Sequence, residues 1–262
     1  MKERRLNRIF RKDGRTLIVA MDHPGSMGPM PGLENPGRAI EKVLDGGADV
    51  IMTTFGVAQA FAADIGRAAL LLRVDGGSSK LGDRSTARMS RVFGVADALR
   101  LGADAIVCMG FPGSRLEHET LPYLSALASE CLEWQIPLMA EMLPRGFEGG
   151  ADARTPENIA LAARIGAENG ADIIKTQYTG TVESFRKVIE NCYVPVVILG
   201  GNKMETDRDV LETVHGAIAA GAKGVAMGRN IWQHPNPAKM TAAIASIVHG
   251  NASVDEALKE LA

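Results

Sequence analysis

The chain has 262 residues, 46% hydrophobic and 23% charged, with 29 basic against 31 acidic side chains for a formal charge of −2. That length holds one α/β barrel or two small domains. The balanced charge excludes a polyanion-binding surface and a disordered chain, so nucleic acid is not an expected partner.

In chain order, the opening segment MKERRLNRIF puts Leu6, Ile9 and Phe10 on one helical face and is expected to cover the bottom of the fold. It is basic, but three apolar residues are a poor membrane anchor. It lacks the continuous apolar region of a signal peptide, and no run of about 18 apolar residues follows, so a cytoplasmic protein without membrane contact is expected. Three cysteines (Cys108, Cys131, Cys192) stand far apart without a CxxC or Cys/His cluster, the pattern of reduced thiols and of no structural metal.

From Thr16 onward a short pattern recurs: GADVIM from Gly47, GADAIVC from Gly102, GADIIKT from Gly170 and the looser GAKGVAM from Gly221. Each copy reads as a glycine helix stop feeding a buried strand. Other apolar runs alternate with them: TLIVAMDH from Thr16, ALLLRVD from Ala69, PLMAEML from Pro137 and PVVILGG from Pro195. Segments such as GRAIEKVLDG, SRVFGVADALRLG, ENIALAARIGAENG and DVLETVHGAIAAG carry apolar positions at i, i+3, i+4 and i+7 and read as the helices between strands. Eight βα units predict a single (β/α)8 TIM barrel over residues 1–262. An open doubly wound sheet is the competitor, but it would carry a GxGxxG turn after its first strand, and none is there. HGNASVDEALKELA closes the chain as a helix with Ser253 as N-cap.

In such a barrel the chemistry stands at the carboxyl ends of the strands. Strand one offers Asp22 and His23, strand three Asp75 with Ser78 and Ser79, strand five Glu141 and Arg145, strand six Lys175 with Tyr178. Alternation puts Lys175 on the inward face with Ile173. A lysine in an apolar pocket loses its proton readily and attacks carbonyls; the alternative is an ammonium that merely closes the barrel by pairing with Glu141 or Asp22. The glycine turns Gly200–Lys203 and Gly228–Asn230 end strands seven and eight, where barrels hold phosphate on backbone N–H groups, with Arg229 adding charge. The plainer reading is tight turns and an arginine paired to a helix carboxylate. Ser78 and Ser79 could bond substrate hydroxyls or simply face water.

MDHPGSMGPMPGLENP (21–36), LPRG (143–146), IIKTQYTG (173–180), VVILGGNK (196–203) and MGRNIWQHPNP (227–237) together resemble the class I aldolases of the DeoC/LacD superfamily. Within it the chain is most similar to archaeal-type fructose-bisphosphate aldolases, aminodideoxyheptulosonate synthases and autoinducer-2 phosphate thiolases. The resemblance implies that Lys175 forms the Schiff base and Asp22 is the strand-one aspartate of the active site. It also implies that Gly200, Gly201 and Arg229, with Lys203 and Gly228 in the same turns, hold phosphate. A small phosphorylated sugar or keto substrate, a homo-oligomer and no cofactor are implied as well.

Two departures stand out. The tyrosine that archaeal-type aldolases carry before PRG as acid/base is Leu143 here, and a leucine transfers no proton. Glu141, two residues earlier and in phase, resembles the strand-five glutamate of more distant relatives, with a pKa expected to be raised by enclosure; the alternative is a glutamate that only pairs with Lys175 or Arg145. Tyr178 and His23 compete for the same role. Pro24 replaces the glycine usual after DH and is expected to stiffen that loop. A different class of reading keeps the barrel and the phosphate but makes the protein an isomerase or a ligand-binding protein, with Lys175 electrostatic.

Overall fold

The computed structural model describes residues 2–83 and 88–262. Eight parallel strands close into a barrel: β1 Thr16–Ala20, β2 Val50–Thr53, β3 Ala69–Arg73, β4 Ala105–Gly110, β5 Leu138–Met142, β6 Ile173–Thr176, β7 Val196–Leu199 and β8 Gly224–Met227. Each pairs with its neighbours in sequence, and β8 returns to β1 with Thr16 opposite Gly224. The eight runs expected from the sequence are these eight strands. β-Branched and aliphatic residues buried on both faces form them, as a parallel sheet covered by helices requires.

Alternation divides the side chains. Ile18, Val50, Leu71, Val107, Met139, Ile173 and Val197 fill the barrel interior, and Leu17, Ile51, Leu72, Ile106, Leu138 and Ile174 meet the surrounding helices. Three of those helices begin on the side-chain caps Asn35 for Pro36–Asp45, Thr155 for Pro156–Glu168 and Thr206 for Asp207–Ala220. Ser253 caps Val254–Lys259 in the same way. One expectation fails locally. The segment from Ser90 starts as a two-residue strand antiparallel to Asp75–Gly76, and its helix, Val95–Arg100, begins only after Gly94, whose N–H is accepted by Asp97. No helix among the described residues is long and apolar enough to cross a membrane.

The recurring GAD motif has a structural meaning. Asp49, Asp104 and Asp172 precede β2, β4 and β6, and each accepts the backbone N–H of the preceding strand: Leu17 at 2.7 Å, Leu70 at 3.0 Å and Leu138 at 2.8 Å. Each also pairs with a cation of the N-terminal segment, respectively Arg11, Arg8 (3.0 Å) and Lys2 (2.9 Å). These contacts seat helix Lys2–Ile9 across the bottom, with Ile9 fully buried among the interior residues and Leu6 and Phe10 packed beside it.

Candidate active site

Above the apolar interior, the next inward layer is charged. Arg73 ends β3, Glu141 lies in β5 directly opposite Lys175 of β6, and Asp22 and Asp75 follow β1 and β3 by two residues. Lys175 is 4% exposed, and its Nζ lies 3.1 Å from Glu141 Oε2 and 3.9 Å from Met52 Sδ. The lysine therefore has an apolar collar and an ion pair at once. The pairing with Glu141 that the sequence left as an alternative is present.

Arg73, which the sequence reading passed over, organises the layer. Its guanidinium donates to Asp22 at 2.8 Å through Nε, to Asp75 at 3.2 Å through Nη1 and to Glu141 through Nη2. A planar fork with five donors suits such a hub better than an ammonium does. Burial pushes the Asp22 carboxyl up, but the charges of Arg73 and Lys175 outweigh it and hold it at about 2. Glu141 corrects an expectation. Burial raises it, yet Lys175 and Arg73 more than offset that, so it lies below the ordinary glutamate value instead of near neutrality.

His23 sits beside this layer. Its Nδ1 is 3.6 Å from Asp22 Oδ1, its ring meets Trp232 edge-on at 5.7 Å, and burial lowers its pKa, which leaves it neutral. Trp232 Nε1 in turn donates to the Ala20 carbonyl at 2.9 Å. Pro24 opens the short helix Pro24–Met27.

The two glycine turns meet as expected. Gly201 takes φ 63°, and a Cβ at Gly228 would lie 2.5 Å from the Ala20 carbonyl and 2.9 Å from His23 Cε1, so the turn needs glycine there. Arg229 Nη2 donates to the Gly201 carbonyl at 2.7 Å, while its Nε is buried without a protein partner among the described residues. Asn230, also overlooked in the sequence, locks the turns together. Its Oδ1 accepts from Met204 N at 2.8 Å and its Nδ2 donates to the Gly200 carbonyl at 2.9 Å. Lys203 donates to the Gln233 carbonyl at 2.9 Å and lines a cleft of about 260 Å3 with Met204, Thr206, Asp207 and His234, a cleft that neither Lys175 nor Glu141 lines.

Four further candidates lie elsewhere. Tyr178 does not enter the mouth: its ring packs edge-on against Phe185 at 5.3 Å, and its hydroxyl lies where a Cβ on Gly216 would be 2.4 Å away, between helices Val182–Glu190 and Asp207–Ala220. Two residues past the end of β6, strand alternation no longer sets direction. Arg145 is more than half exposed and pairs with Asp152 at 2.9 Å, away from Glu141. Ser78 donates to the Arg88 carbonyl, and Ser79 is exposed. Leu143 is buried.

A closed parallel barrel with a buried amine and paired carboxylates at the carboxyl ends of its strands defines a TIM-barrel enzyme equipped for carbonyl chemistry. Residues 16–234 match the model of the DeoC/LacD family aldolases, and the chain belongs to that family. It is 40% identical over 98% of its length to a 2-amino-3,7-dideoxy-D-threo-hept-6-ulosonate synthase of Archaeoglobus fulgidus, covering 95% of that protein. It is 36% identical over 97% of its length to a 3-hydroxy-5-phosphonooxypentane-2,4-dione thiolase of Yersinia enterocolitica, covering 84% of it. Among solved structures it matches an archaeal fructose-1,6-bisphosphate aldolase whose catalytic lysine is covalently bound to the carbinolamine intermediate. That match has a TM-score of 0.85 and 31% identity, covering 95% of this chain and 99% of that one.

Proposed function

We propose that Lys175 is the Schiff-base nucleophile of this aldolase and that Glu141 moves its protons. The observation that carries this is the 3.1 Å contact between the buried Lys175 Nζ and Glu141 Oε2. In the resting pair, the ammonium passes a proton to Glu141 and becomes the amine. The amine adds to the substrate ketone, and the proton on Glu141 goes to the departing carbinolamine oxygen, which leaves as water and gives the iminium. Glu141, again a carboxylate, then takes the proton of the hydroxyl on the far carbon of the bond to be broken. That bond cleaves to an aldehyde, and its electron pair flows into the iminium to give an enamine. Protonation of the enamine carbon and hydrolysis release the second product and the amine. Asp22, held at about 2, stays ionised and stabilises the cationic iminium.

The substrate we propose is a phosphorylated ketose or related keto compound. Its phosphate would lie at the Gly200–Gly201 and Gly228–Arg229 turns, supported by the glycine-only approach at Gly228 and the unpartnered Nε of Arg229. The similarity to a synthase and a thiolase, with Leu143 where archaeal-type aldolases have a tyrosine, favours a second reading of the same lysine. In it the enamine meets another carbonyl acceptor in place of a proton. We place the protein, as a homo-oligomer, in the cytoplasm; three buried free thiols support a reducing compartment. Incubation with ketose phosphates or dihydroxyacetone phosphate and borohydride, read by intact mass, tests the reading, and inorganic phosphate should compete with substrate.

A further inference from the structure

Next to the Lys175 pair lies a buried acid that the steps above leave unused. The Asp75 side chain is fully enclosed. Its Oδ1 faces Arg73 Nη1 at 3.2 Å, and its Oδ2 accepts the Met109 N–H at 2.7 Å. Tyr123 Oη, from helix Glu117–Trp134, stands 2.8 Å from that same Oδ2 and also 2.8 Å from the Met109 carbonyl oxygen. A phenol has one hydrogen to give. Were Asp75 ionised, both neighbours of the phenol oxygen would be acceptors, and one of the two contacts would press lone pairs together beside a fully enclosed carboxylate.

One additional hydrogen removes the conflict. Placed on Asp75 Oδ2, it is donated to Tyr123 Oη, and the phenol hydrogen is then free for the Met109 carbonyl. Oδ1 is excluded as its seat because a guanidinium N–H already points there. We infer that Asp75 is a neutral carboxylic acid with its proton on Oδ2, a positioning residue that leaves the charge of Arg73 to Asp22 and Glu141.

The surroundings agree. Asp75 is faced by Arg73 from β3, by the Cys108 thiol and the Met109 N–H from β4, and by Tyr123, with Asp22 and Glu141 across the guanidinium. Burial pushes the Asp75 carboxyl up by more than Arg73, Met109 and Tyr123 pull it down. With Asp75 neutral, the layer sets Arg73 and Lys175 against Asp22 and Glu141. With Asp75 ionised, a third anion would compete for Arg73 and loosen its hold on Glu141.

The protonation state stands apart from the Schiff-base reading, whereas the positioning role rests on it, so two measurements are needed. Carbon-13 NMR of the full chain labelled at aspartate carboxyl carbons, without substrate, should show at neutral pH one resonance at the protonated position, absent from Asp75→Asn. If that variant does not fold, the same resonance should shift in Tyr123→Phe. A loss or shift confined to carboxylate-position signals overturns the inference. For the role, Tyr123→Phe changes the hydrogen bonding of Asp75 Oδ2, so the alkaline limb of kcat/KM should shift along the pH axis while the borohydride adduct at neutral pH is retained. Superimposable pH profiles for wild type and Tyr123→Phe would make Asp75 structural only.

Discussion

At the bottom of the barrel Asp49, Asp104 and Asp172 each accept one strand N–H and each pair with a cation of their own, whereas at the mouth Asp22, Asp75 and Glu141 converge on the single guanidinium of Arg73, with Lys175 beside it. Pairing with separate cations of the N-terminal segment confines the loss of any one of those cations to a single carboxylate. Sharing one cation among three buried carboxylates leaves the layer dependent on how many of them carry a proton. The first arrangement fixes a fold, and the second gathers an amine, a guanidinium and three acids at the carboxyl ends of the strands.

The largest effect should come from Lys175→Ala, which is expected to abolish turnover. The protein should stay folded, because Glu141 keeps Arg73 as a partner; circular dichroism and a turnover assay check both halves. Arg73→Met removes the cation shared by Asp22 and Glu141 and a contact of Asp75, and should destabilise the fold by ~3–5 kcal/mol. Denaturant melts should show that deficit shrinking as pH falls and the stranded groups take up protons. Opposite behaviour marks Asp22 in the wild type. Its carboxyl is depressed to about 2, so its contribution is present above the ordinary aspartate value of 3.8 and is lost as pH falls towards 2.

Glu141→Gln should cut single-turnover cleavage by a factor of order 10²–10⁴, the range for a lost general acid/base. Adduct should still accumulate, more slowly than in wild type, because losing the carboxylate removes the ion pair that favours the ammonium but also the acid that dehydrates the carbinolamine. Cleavage at the wild-type rate would make the glutamate structural, and parallel assays of His23→Asn and Tyr178→Phe, the latter expected to be silent, separate the alternatives. Arg229→Ala should raise KM for phosphorylated substrates with kcat little changed, because the contact is made equally in ground and transition states. At the bottom, the smallest effect belongs to His249, clamped by Asp13 at 2.7 Å and Asp49 at 3.0 Å. Burial lowers its pKa, but the two carboxylates raise it further, so its stabilisation is fully present below 6.5 and is lost as pH rises through the raised value. His249→Gln should cost about 1 kcal/mol or less at low pH, with the gap closing on the alkaline side.

The barrel was legible because its strands announce themselves locally, by a glycine, an aspartate and an apolar run. Lys175 was legible for the same reason: a cation directly after Ile173 and Ile174 is conspicuous. Arg73 gave an identical signal, a cation after Leu70, Leu71 and Leu72 and in phase with Asp75, and reading it by the same rule would have found it. What the sequence could not supply was pairing across strands. That Glu141 faces Lys175 is a register, and that three GAD aspartates receive the N-terminal helix depends on residues up to 170 positions apart. The Glu141 pKa failed for the same reason, since its sign depends on two cations brought from other strands. Tyr178 failed because strand geometry stops at Thr176.

The central claim, that Lys175 forms the covalent intermediate, is tested most directly by borohydride trapping with a ketose phosphate followed by peptide mapping. The account predicts a reduced adduct on the peptide carrying Lys175 in wild type and in Glu141→Gln, and none in Lys175→Ala. An adduct on Lys80 or Lys203, or turnover of substrate with no trapped adduct on any lysine, would contradict it.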